Sequence, residues 1–199
     1  MPKIVDPEAR RAHIVDAVFR VVSVGGIEAA TLKNVAADAG LAIGSVRHYF
    51  DSHEAILQAA AEAMAGRVGS RLLAEREAFV ADPTVNRLAD LLSELLPLDA
   101  ERTAEVRVWL AFSAAAAARP TLARCATEMA EQTATIVRIA LERAGLPSDA
   151  ATVRGTVALV DGLSLAGVSA QPLPPSRIRA ALDAYLIRLT TDPSTTPDP

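Results

Sequence analysis

Three histidines, His13, His48 and His53, and a few cations near the N-terminus are the residues of this chain best equipped for chemistry. Catalysis needs a nucleophile with a base, paired carboxylates or a metal cluster. His48 and His53 with Asp51 come nearest to a ligand set, but they straddle the end of one expected helix and the start of the next. They do not share one helical face, as a tetrahedral site built on a helix requires. No glycine-rich phosphate loop precedes a helix. Cys125 reads as a small buried hydrophobe and not as a reactive thiol. Neither a catalytic nor a metal site is expected, and no cofactor is implied.

Binding chemistry is better supported. Residues 31–50, TLKNVAADAGLAIGSVRHYF, pair a small residue, Ala36, with a turn glycine, Gly40, and an apolar anchor, Val46. Two short helices packed at a steep angle need that arrangement, because the first must press on the second and the turn needs a positive φ. Val35, Ala39 and Leu41 complete the inner face. Ile43, Gly44, Ser45, Arg47 and His48 then lie on outward or flanking positions of the second helix, the one that would enter a DNA major groove. An ordinary helical hairpin can share this spacing, so the pattern alone leaves both readings open.

The elements that would hold these residues are all helical, since breakers cut the chain into helix-length segments and no run alternates with period two. Asp6-Pro7 opens a first helix with the stripe Ile14, Ala17, Val18, Val21, Val22, stopped at Gly25-Gly26. Thr31 caps a second helix to Ala39, and a third runs from about Ala42 to Tyr49. Asp51-Ser52 with Glu54 resembles a capping box for a long fourth helix reaching about Val80. Asp82-Pro83 opens a fifth segment, ended by Pro97, and Asp99 a sixth, ended near Pro120. A seventh reaches Gly145-Leu146-Pro147. Ser148 caps an eighth and Ser176 a ninth, to about Leu189. The tail 191–199 has nothing to bury and is expected to be disordered.

Composition sets the bounds. The 199 residues are 51% hydrophobic with seven aromatics, which suits closely packed helices better than sheets. Net charge is −4, yet residues 1–53 balance six Lys/Arg against six acids, so the deficit lies elsewhere and charge supplies no case for nucleic acid. One cysteine excludes an intrachain disulfide and suits a reducing cytoplasm. The N-terminal MPKIVDPEARR has no run of signal-peptide type. The longest apolar stretch, Gly155 to Ala170, is interrupted by Asp161 and reads as too short to span a bilayer, so no membrane partner is expected.

GLAIGSVRHYFDSHEAIL, residues 40–57, resembles the signature of TetR-family repressors: a glycine turn, a short reading helix ending in an aromatic pair, and a cap into the fourth helix. RRAHIVDAVFRVVSVGGIEAATLKNVA resembles that family's first two helices, so the likeness runs over about residues 9–57. It implies a helix-turn-helix domain, 1–53, on a double-stranded operator. The contacts it suggests are Thr31, Lys33, Ile43, Gly44, Ser45, Arg47, His48, Tyr49 and His53. Two positions depart from the family's habit, with Arg47 in place of tyrosine and His53 in place of lysine. Arginine can fork onto guanine or clamp phosphate, and histidine carries only part of a charge at neutral pH. Tyr49 packs on the first helix as readily as it reaches DNA, and Phe50 reads as core.

ERTAEVRVWLAF, LVDGLSLAGV and DAYLIRL resemble the regulatory half of the BetI-like subgroup. Residues 54–190 would then bind a small-molecule effector and form a homodimer through about 148–190. Gly155, Ala158, Gly162, Ala166 and Ala170 on the eighth helix and Ala180, Ala181 and Ala184 on the ninth give surfaces for close helix approach. Trp109, Phe112, Met64, Met129 and Phe79 are candidates to line an effector pocket, although such residues are more often core. Asp161 is either a polar pocket residue or a buried acid paired with an arginine, and the cost of an unpaired buried carboxylate favours the pair. The expectation is an all-α, nine-helix regulator and not an enzyme: a three-helix N-terminal head with a C-terminal helical bundle.

Overall fold

The computed structural model describes residues 6–191. Nine α-helices and one 3-10 turn account for the regular structure of these residues, with no strand among them. They form two compact units. One comprises residues up to Gly66 with Arg107–Thr127, the other Arg67–Val106 with residues from Glu128 onward.

The first unit begins with α1 (Pro7–Gly25), capped by Asp6, which accepts from the Glu8 N–H at 3.0 Å. Its inner stripe, Ile14, Ala17, Val18 and Val22, is buried as the helical spacing requires. Gly26, at φ +73°, turns the chain into a 3-10 turn, Ile27–Ala29, that the sequence did not announce. Thr31 caps α2 (Leu32–Asp38) by accepting from Asn34 N–H at 3.2 Å. Gly40, at φ +64°, then sends the chain into α3 (Ile43–Tyr49). Ser52, not Asp51, caps α4 (His53–Ala81): its Oγ accepts from Ala55 N–H at 3.1 Å. The expected box is displaced by one residue because the helix starts at His53 and the cap is the residue before it.

In the second unit Thr84, not Asp82, caps α5 (Val85–Ser93). That helix stops short of Pro97 because the N–H groups of Glu94, Leu95 and Leu96 reach back only three residues, a 3-10 tightening of the last turn. Then follow α6 (Ala100–Ala116), α7 (Pro120–Arg143), α8 (Ala150–Val168) and α9 (Pro175–Thr191). Asp149, not Ser148, caps α8, accepting from the N–H groups of Ala151 and Thr152. Ser176 lies inside the first turn of α9, which opens at Pro175. Thr191 ends that helix instead of beginning a tail, and the rest of the proposed tail, 192–199, lies outside the described residues.

The core of this unit is a cluster of fully buried leucines and isoleucine: Leu88, Leu92, Leu96, Leu141, Ile178, Leu182 and Leu186. Gly167 permits the closest approach. A Cβ there would lie 2.5 Å from Pro97 Cγ and 2.7 Å from Ile178 Cδ1. Thr156 and Tyr185 join α8 to α9 through their hydroxyls at 2.9 Å.

The unit also holds an ionic lattice. Arg71 Nε donates to Glu94 Oε2 at 3.0 Å and its Nη1 to Glu105 Oε1 at 3.0 Å, while Arg102 Nη1 donates to the other Glu94 oxygen at 2.9 Å. Arg102 also reaches Asp99 at 2.9 Å. The hydrogen bonds to Glu105, ahead of those to Glu94, hold the Arg71 pKa above its ordinary value.

The apolar stretch from Gly155 lies mostly in α8, which is 19 residues long and, by length and composition alone, apolar enough to cross a membrane. The reading of that stretch as too short is corrected on this point. Val153, Thr156, Val160, Leu163 and Ser164 nevertheless pack into the core of the second unit, the arrangement of a core helix.

Candidate nucleic-acid interface

The three-helix head is held by contacts across its elements. Val35, Ala36, Val46 and Phe50 are buried between α1, α2 and α3. His13 Nε2 on α1 donates to the Ala39 carbonyl at 2.9 Å, just before the Gly40 turn. Arg20 pairs with Asp38 at 2.7 Å at the end of α2. The Leu41 N–H closes on Ala36 O at 2.8 Å, fixing the angle at which α3 leaves α2.

On α3 the burial pattern leaves one side for an outside partner. Val46 is fully buried, whereas Gly44, Ser45, Arg47 and His48 are exposed and Ile43 is 42% exposed. Thr31 and Lys33 are exposed at the start of α2. A Cβ added at Gly44 meets nothing within 4 Å, so no packing inside the chain requires glycine there. Tyr49 is half-buried, and its ring stands edge-on to His48 with centroids 5.2 Å apart. His53 is half-buried with its Nε2 shielded and without a hydrogen-bond partner. Lys33 and Arg47 are therefore cations on the outward side, Arg47 where the helix spacing placed it and Lys33 where the family likeness suggested it. The contacts that brace this surface from α1, through Arg11, His13 and Arg20, carry no motif and were missed. Only the 26-residue separation of His13 from Ala39 in a folded head reveals them.

Arg47→Ala is expected to cost about 1–3 kcal/mol of operator binding if its guanidinium reads a base. Titrating operator and random duplexes in parallel decides its role: an equal loss on both assigns Arg47 to the phosphates, and no loss on either removes it from the interface.

Of the residues proposed for an effector, Met64, Trp109 and Phe112 fall in the first unit, Met64 and Phe112 buried and Trp109 half-buried. Met129, Asp161 and the buried Phe79 fall in the second. A cleft of about 500 Å³ runs along α7, lined by Glu128, Glu131, Gln132, Thr135 and Ile136, none of which the sequence singled out. In the first unit the corner between α6 and α7 touches the head, where Arg119 Nη2 donates to Glu28 Oε1 at 2.6 Å.

Asp161 is not paired with an arginine. It makes no ion pair among the described residues, and burial alone pushes its carboxyl pKa up. An acid whose folded pKa exceeds its unfolded pKa loses stability as pH rises through the unfolded value, and the penalty is complete above the folded one. Asp161→Asn is therefore expected to raise the melting temperature at pH 7 and to leave it unchanged below about pH 4. Equal gains at both would show that ionisation is not the cause.

Residues 14–60 match the model of bacterial regulatory proteins of the tetR family, and 84–191, more than half the chain, match the BetI-type transcriptional repressor C-terminal model. The chain belongs to the TetR family. The HTH-type transcriptional regulator BetI of Paraburkholderia phytofirmans is 30% identical over 191 residues, covering 94% of this chain and 96% of that protein. A transcriptional regulator from Rhodococcus sp. Rha1 superposes with a TM-score of 0.83 at 29% identity, over 94% of this chain and 99% of the other. The multidrug binding protein EbrR, solved with malachite green, gives 0.65 at 29% identity, over 89% and 97%. As a TetR-family member the chain is a DNA-binding, ligand-responsive transcriptional regulator with a BetI-type C-terminal half, and not an enzyme.

Proposed function

We propose that this TetR-family regulator works in the cytoplasm as a homodimer on double-stranded operator DNA and is released by an organic, cationic effector. The observation that carries the dimer is a pair of open helix faces. On α8, Ala151, Gly155, Ala158, Gly162 and Leu165 are exposed at alternating spacings of four and three, and the exposed C-cap Ser169 continues the row. On α9, Ala180, Ala184 and Ile187 are exposed at the same spacing, and Leu165 and Ile187 are each 56% exposed. Small residues interleaved with large apolar ones make a seam into which helices of a second copy pack. The face centres on Gly162 and Leu165, so Ala166, half-buried, lies at its margin.

The effector class rests on chemistry and likeness together. EbrR is a complex with malachite green in one structure and with ethidium in another, both organic cations. In the first unit Met64, Trp109 and Phe112 supply aromatic and sulfur surface for such a molecule. Within the second unit taken by itself, Met129 and Asp161, which makes no ion pair among the described residues, are the alternative candidates, offering polarisable surface and a carboxyl group. Binding that favours the state with misplaced reading helices lowers DNA affinity by its differential free energy.

A gel shift on the DNA upstream of the protein's own gene tests the reading. A salt-sensitive, sequence-specific band that malachite green abolishes is the expected result. A band indifferent to organic cations but sensitive to an organic acid would reject the effector class. No shift on any fragment at low salt would reject operator binding.

A further inference from the structure

The likeness to repressors and the spacing of the reading helix put DNA contacts on α2, α3 and the start of α4. The structure adds a cation on α1. The Arg11 guanidinium carbon lies 4.5 Å from the centroid of the Phe50 ring, within the range of a cation–π contact. Phe50 is 2% exposed and ends α3, its N–H bonded to Val46 O at 2.9 Å. The side chain of Arg11 is thus seated immediately beyond the last turn of the reading helix, on the residue that follows the exposed His48 and half-buried Tyr49 in sequence.

Three features suit this seat to an anion from outside. Arg11 is exposed, and no carboxylate pairs with it among the described residues. Glu8, one turn back on α1, is the nearest acid in sequence, and neither it nor Asp51, beside Phe50, forms an ion pair with Arg11 among the described residues. Arg20, by contrast, spends its charge on Asp38. Second, a guanidinium resting on an aromatic face keeps its N–H edge free, and that edge matches two phosphate oxygens. Third, the seat is fixed, because His13 and Arg20 tie α1 to the end of α2 on either side of the turn that aims α3. Little side-chain freedom remains to be lost on binding.

We propose that Arg11 is a phosphate clamp on the DNA backbone flanking the groove read by α3, a contact made by α1. The inference rests on the DNA-binding reading and concerns register and affinity, not sequence choice, since phosphate contacts position a protein without reading bases.

The test measures affinity for a random-sequence duplex between 50 and 200 mM salt, with the full chain and its R11Q and R11K variants. Each phosphate neutralised contributes about 0.9 to the slope of log affinity on log salt. R11Q is expected to lower that slope by about 0.9 per protomer, and R11K to keep it. Both variants weaken the stack on Phe50, so a purely structural role would lower both melting temperatures and leave both slopes at the parent's value. R11Q at the parent's slope, or R11K falling as far as R11Q, overturns the proposal. A parent chain with no affinity for any duplex at low salt overturns the DNA-binding reading, and the clamp with it.

Discussion

Glu105→Ala is expected to destabilise the protein by about 3 kcal/mol, the lower end of the range for removing one partner of a buried ion pair. Glu105 has a side chain only 5% exposed and takes two bonds from the Arg71 fork. Removing it leaves a guanidinium, 25% exposed, that keeps only Glu94. The partial exposure of Arg71 and the surviving partner limit the loss, because water and Glu94 recover part of the solvation. For a chain of this length the melting temperature should drop by about 6–12 °C. The double change Arg71→Met with Glu105→Leu should lose far less, because two apolar side chains leave no orphaned charge. If single and double variants melt together, well below the parent, the lattice contributes through packing and not through charge.

Gly162→Glu should split the proposed dimer and lower operator affinity by about 10²–10⁴-fold. The arithmetic is that of two half-sites: once the protomers are unlinked, the second binding event loses its effective concentration. Gly162 suits the test because it is exposed and an added Cβ there meets nothing within 4 Å. The protomer should therefore fold normally while the seam of α8 and α9 carries a buried charge. Sedimentation should report the mass of one chain. A variant that sediments as two chains and binds operator like the parent would place the dimer contact elsewhere.

Local signals account for most of what the sequence made legible. Gly40 must adopt positive φ, Ala36 and Val46 must be buried, and Asp6 and Thr31 must cap; each is a statement about a few neighbouring residues, and each agrees with the structure. The displaced caps at Ser52, Thr84 and Asp149 show the limit of that kind of reasoning. Adjacent Asp, Ser and Thr are near-equivalent acceptors, and only the helix start selects among them. Contacts distant along the chain were not legible at all. Arg71 with Glu105, Arg11 with Phe50 and Thr156 with Tyr185 depend on how helices pack, and none leaves a periodic trace. Asp161 was misread for a related reason. An isolated acid in an apolar run suggests a buried ion pair, but it occupies a flank of α8, half-buried, where no arginine arrives.

The ion pair between Glu28 and Arg119 joins residues 91 positions apart within one compact unit. That unit is discontinuous along the chain, since residues 107–127 belong with the N-terminal segment. A recombination that exchanged only a contiguous N-terminal stretch would give the recipient a reading head and leave Arg119 behind, exposing Glu28 to whatever side chain the recipient offers at its own corner. The head of this chain thus packs with a second segment, but the ion pair between them, with Glu28 79% exposed, is worth no more than about 1 kcal/mol. Chimeras that carry both segments should keep the acceptor and donor together, and those that carry one should lose only that small contribution from the pair.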